Sequence, residues 1–142
     1  MKPSCSSACI EAKSIGMIAK GRFALKNAVI LIMDPSVGQV PVSMDGGLIA
    51  ATPSCIAVGT LSDSDGKTSI VLTDEEIVEA LDADMHLIHS SRLQTPRREV
   101  SVCNVLYNAL LTIGVAEEQI KAQIWSNDNL ELSKLHIIVR PS

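Results

Sequence analysis

The 142-residue sequence predicts an α+β fold, a single β-rich domain built on a mostly antiparallel sheet of about six strands with two helices. Three observations lead there. Residues 28–33 (AVILIM) form a continuous apolar run, the Asp65-Gly66 dipeptide separates two further strand-like runs, and residues 100–115 carry separate apolar and polar stripes at helical spacing. A β-sandwich is the alternative reading of so many short strands.

The first 22 residues are expected to be a loosely packed segment or a helix within the one domain spanning residues 1–142. Residues 28–33 then read as a buried strand that Asp34-Pro35 ends, and Pro41 and Asp45-Gly46-Gly47 mark turns. Residues 55–61 and 68–73 flank Ser62-Asp63-Ser64-Asp65-Gly66-Lys67, which the Asp-Gly pair marks as the turn of a β-hairpin. Thr73 followed by Glu76 is a capping box, and Ile77, Val78 and Leu81 supply the apolar face of a short helix ending near residues 81–84. Residues 85–88 suit a strand and residues 90–98 a connecting loop. Across residues 100–115, Val102, Val105, Leu106, Ala109, Leu110 and Ile113 line one helical face. Ser101, Asn104, Asn108 and Thr112 line another, and Gly114 stands at the stop, so this segment reads as the second helix. Two strands close the chain, residues 120–125 and 134–140.

Composition narrows the function classes. The chain is 46% hydrophobic and 2% aromatic, with a mean hydropathy of +0.27 and a net charge of −4. Phe23, Tyr107 and Trp125 are too few for a base-stacking platform, and the acidic balance argues against nucleic acid as a partner. No run is long and apolar enough for a membrane helix, and residues 1–26 lack the layout of a secretory signal. A cytoplasmic protein with reduced Cys5, Cys9, Cys55 and Cys103 is therefore expected, with Cys55 and Cys103 in the core. Charge is segregated: residues 63–84 hold eight acidic side chains against Lys67 alone, whereas residues 1–26 hold five basic against one acidic. Asp74, Glu75, Glu79, Asp82 and Asp84 make a candidate acidic patch for a basic partner surface.

Motifs that carry chemistry are scarce. Setting Gly66 at the sixth position of a calcium loop puts Leu61 first and Leu72 twelfth, so no such loop stands here. His86 and His89 form H-x-x-H without the companions a zinc site needs, and neither a phosphate-binding loop nor a nucleophile elbow occurs. No metal, cofactor or catalytic residue is assigned. Arg92, Arg97 and Arg98 concentrate three of the five arginines in one segment, and their planar forks suit carboxylates or phosphates. These arginines, His86, His89 and the lone Trp125 are the candidate ligand- or partner-binding residues.

A small acidic domain without catalytic motifs suits inhibitor and immunity-type proteins. In size and strand order the chain resembles the competence-linked nuclease inhibitors. That resemblance implies a protein that binds another protein; no motif of the family stands in this sequence, and it assigns no residue. The leading expectation is a non-enzymatic protein-interaction or homo-oligomerisation domain, because the aliphatic excess suggests surface left for a partner or a second copy. The competing expectation is a small-ligand binder or enzyme whose His, Cys and Arg residues converge only in three dimensions.

Overall fold

A computed structural model describes residues 18–41, 48–74, 85–127 and 134–141. Among the described residues ten strands form two sheets. β1 (Ile18–Phe23), β5 (Thr68–Thr73), β10 (Lys134–Pro141), β9 (Gln119–Ser126) and β6 (His86–Gln94) make the first, in the order β1-β5-β10-β9-β6. β3 (Ile49–Thr52), β4 (Cys55–Gly59), β2 (Val29–Met33), β7 (Glu99–Cys103) and β8 (Ala109–Gly114) make the second, in the order β3-β4-β2-β7-β8. Among the described strands β5 and β10 run parallel and the remaining pairs antiparallel. One short 3₁₀ turn, Lys26–Ala28, is the only helical element among the described residues. None of those residues forms a helix long and apolar enough to cross a membrane.

The inner faces of the two sheets enclose one core. Ile30, Ile32, Ile56, Val58, Val100, Val102 and Ile113 come from the second sheet, and Ile70, Leu72, Leu93, Ile120, Ala122, Ile124, Leu135 and Ile137 from the first. In β9 the period of two is plain, with Ile120, Ala122 and Ile124 buried and Gln119 and Lys121 exposed. β2 differs because both of its faces are buried. Ile30 and Ile32 join the inter-sheet core, while Leu31 and Met33 pack with Cys55, Ala57 and Cys103 in a second cluster on the sheet's other face. That double burial is why the run reads as unbroken hydrophobicity rather than alternation.

The architecture is therefore the sandwich alternative, and several expectations are corrected. Residues 100–115 are not a helix but β7, a turn and β8, paired antiparallel from Glu99–Gly114 to Cys103–Ala109. The apparent polar stripe divides into two jobs. The hydroxyls of Ser101 and Thr112 hydrogen-bond to each other across the strands at 2.8 Å, and Asn104 and Asn108 form the turn. The Asp65-Gly66 segment does not close a hairpin: β4 pairs with β2 and β3, β5 with β1 and β10, so the loop carries the chain from one sheet to the other. Residues 90–94, expected in a loop, complete β6, and residues 18–22, expected loose or helical, lie in β1. The expected helix after Thr73, the turn at residues 45–47, and Cys5 and Cys9 lie outside the described residues.

Candidate functional site

The two ends of the sandwich are built differently. At one end, the β6–β7 and β8–β9 connections switch between the sheets and are laced together by backbone. Thr95 donates its N–H to Glu118 O at 2.8 Å and its hydroxyl to Glu117 O at 2.8 Å; Val115 N donates to Arg98 O at 2.9 Å. Asp34, only 1% exposed, anchors this end. Its carboxylate accepts from Ser36 N at 3.0 Å, Ser36 Oγ at 2.7 Å and Arg97 N at 2.8 Å. Burial alone pushes the Asp34 carboxyl up, but these hydrogen bonds and the Arg97 charge outweigh it and hold it below its ordinary 3.8.

This is where two of the sequence-selected arginines fall. Arg97 serves Asp34 through its backbone, and Arg98, at φ 59, makes an exposed 3.6 Å ion pair with Glu118. Arg92 lies apart on β6, exposed and directly opposite Lys121 of β9. Asp74 stands at the same end as Arg97 and Arg98, where its carbonyl accepts from Arg140 Nη1 at 3.5 Å. Glu75, Glu79, Asp82 and Asp84 lie outside the described residues.

The histidines do not join them. A β-bulge between Leu87 and His89 registers His86 opposite Ser126 and His89 opposite Ile124, so the bulge returns both to one face where simple alternation would separate them. His89 is half-buried, with Nε2 3.0 Å from Ser91 Oγ, and burial lowers its pKa. Trp125 is half-buried outside the inter-sheet core, in register with His136 on the other face of the first sheet. The side-chain Nε1 of Trp125 and Nε2 of His136 are buried without a hydrogen-bond partner. Cys55 and Cys103 are buried free thiols on the second sheet, away from the first-sheet histidines; burial, helped by the neighbouring Cys103, pushes Cys55 up to about 12. Among the described residues no group of three or more His, Cys, Asp or Glu could hold a metal.

Among the described residues the opposite end holds a cleft. Here the β1–β2 connection, the β4–β5 loop and the β7–β8 turn surround a cleft of about 680 Å³ between the sheets. Phe23, Leu25, Val105, Leu106 and Leu110 line it with apolar surface, and Arg22 and Lys67 stand at it with Asn27 and Asn104. Gly21 lets the Phe23 ring fold back on its own strand, since a Cβ there would meet the ring at 2.7 Å. The β7–β8 turn projects Leu106, 71% exposed, and Tyr107, 61% exposed. Asn104 braces that turn by accepting at Oδ1 from Leu106 N at 2.9 Å and Asn108 N at 3.0 Å, while Tyr107 holds φ 65. None of the described sequence-selected site residues lines the cleft. The sequence signal available was for the turn alone, the pair Asn104 and Asn108 bracketing an apolar Leu-Tyr tip.

The described strands define a two-sheet β-sandwich with sheet-switching connections. Solved structures with this architecture include ComJ, the inhibitor of the DNA-degrading activity of NucA from Bacillus subtilis, at TM-score 0.62 and 9% identity over 89% of this chain and 99% of that one. The protein described as Crocagin biosynthetic gene J matches at TM-score 0.57 and 11% identity over 89% and 98%. No protein-family model matches the chain, and no curated protein matches it in sequence.

Proposed function

We propose that this chain is a non-catalytic protein-binding domain of the inhibitor type, which engages another protein through the β7–β8 tip. The observation that carries the reading is the braced pair Leu106 and Tyr107, 71% and 61% exposed on a turn whose backbone is already ordered. Ordering an anchor before binding removes much of the entropy cost of docking it. Tyrosine is among the side chains that most often dominate binding energy at protein interfaces.

The likeness to an inhibitor of a DNA-degrading activity makes a nuclease the first class of partner to test. The dispersed positions of His86, His89, Arg92, Arg97 and Arg98 favour this reading over a converged His/Cys/Arg site.

Affinity capture from the source cells tests it, comparing the wild-type chain with a Leu106→Asp/Tyr107→Ser variant and assaying the recovered protein for DNA degradation. One protein recovered in near-equal amount, inhibited by the wild-type chain and lost with the variant, is expected. Recovery of the same partner by both chains would overturn the assignment to the tip, and a recovered partner without nuclease activity would overturn the partner class.

A further inference from the structure

The geometry points to a second capability beyond protein docking: the cleft between the sheets is a binding site for a single-chain aliphatic carboxylate. Volume is the first argument. At about 680 Å³ the cleft exceeds what one docked side chain fills and lies within the roughly 300–1,000 Å³ of small-molecule pockets. Depth is the second. The cleft enters between the sheets where β1 and β8 stand as edge strands, and it reaches Leu25, a core residue only 2% exposed. An alkyl chain entering there would meet Phe23, Leu25 and Leu110 and replace water that apolar walls hold poorly.

Charge is the third argument, and it selects the head group. Arg22 and Lys67 both line the cleft and are exposed. Neither makes a hydrogen bond or ion pair among the described residues, and no described carboxylate lines the site. Two uncompensated cations beside an apolar recess complement an anion carried on an apolar tail, and they disfavour a cationic amphiphile of the same length. Asn27 and Asn104 add amides able to donate to the same carboxylate.

Calorimetric titration of the full chain with octanoate, decanoate, decanol and decyltrimethylammonium, each below its micellisation concentration, tests the site, with amide NMR shifts locating it. Decanoate is expected to saturate at one per chain, to shift the amides of Leu25, Leu106 and Leu110, and to bind more tightly than octanoate by up to about fourfold per added methylene. An Arg22→Gln/Lys67→Gln variant, altered only at exposed positions, should weaken decanoate about tenfold and leave decanol unchanged. Ala24→Trp, which places an indole at the cleft, should weaken both. Binding without saturation, equal binding of decyltrimethylammonium, or undiminished decanoate binding by the double variant would each overturn the proposal. None of these readouts depends on a protein partner.

Discussion

Replacing Asp34 by Asn should destabilise the protein by about 2–4 kcal/mol at neutral pH. The side chain is 1% exposed and its two oxygens accept three hydrogen bonds, two from Ser36 and one from Arg97 N. Asn keeps the shape but has a single acceptor oxygen, so its NH₂ must face either the Ser36 donors or the Arg97 N–H. At least one hydrogen bond to a charged group, at roughly 1.5–3 kcal/mol, is lost, and a buried donor is left facing another donor. For a chain of this size the change is expected to lower Tm by about 6–12 °C. The pH dependence has a definite sign. The folded carboxyl sits below its ordinary 3.8, so its contribution is complete above the unfolded value of about 4 and disappears as pH falls through the lower, folded value. Urea unfolding of both proteins at pH 7 and again near pH 2.5 should show a gap that narrows sharply in acid. A gap below about 0.5 kcal/mol at pH 7, or one that widens in acid, would refute the anchoring role of Asp34.

Other expectations follow from the same geometry. Ala28 holds φ 55, where a side chain is strained, so Ala28→Gly should stabilise the fold by about 1 kcal/mol in chemical denaturation. Asn104→Ala removes the two hydrogen bonds that brace the tip and should cost about 1–2 kcal/mol; hydrogen exchange at Leu106 and Asn108 should quicken well before exchange in β9. In a Cys5→Ser/Cys9→Ser background, Cys55 and Cys103 should resist thiol reagents at pH 8 until denaturant is added, since burial raises both thiols, Cys55 to about 12. Ser101→Val alone should destabilise by about 1 kcal/mol, and Ser101→Val/Thr112→Val by less than the two single changes together, because the hydroxyls satisfy each other.

What the sequence made legible depended on whether one segment's pattern was enough. Residues 29–33, 119–126 and 134–141 could be read directly, because a strand buried on both faces, or alternating along its length, carries its own signature. Residues 100–115 misled for a specific reason. Asn104 and Asn108 lie four apart and Ser101 and Thr112 eleven apart, separations that fall on one helical face, yet the first pair makes a turn and the second a cross-strand bond. Asp65-Gly66 misled differently. It marks a reversal of chain direction, but nothing local says whether the flanking strands pair with each other or enter different sheets. Gly66 takes φ 137, outside the region a two-residue hairpin turn requires. The cleft was invisible because Arg22, Lys67 and the hairpin pair Asn104 and Leu110 come from three separated segments that only the sandwich brings together.

Net charge was the most deceptive single number. Cross-strand partners share a sheet face, so the pairings Arg22–Ser69–Lys134 and Arg140–Lys121–Arg92 place six cations, with Lys20, on the outer face of the first sheet. No acidic residue falls on that face among the described strands, and the carboxylates Asp63, Asp65, Asp74, Glu117 and Glu118 sit in connections. Arg92 and Lys121 stand directly opposite one another, an arrangement that costs stability between like charges, whereas Arg140 donates to the Asp74 carbonyl at 3.5 Å. Among the described residues the first sheet's outer face is basic and the carboxylates lie in connections, a segregation that a composition total of −4 averages away. Arg22 belongs to both the basic face and the mouth of the cleft. An anion drawn to the face therefore arrives beside an apolar recess large enough to hold its tail.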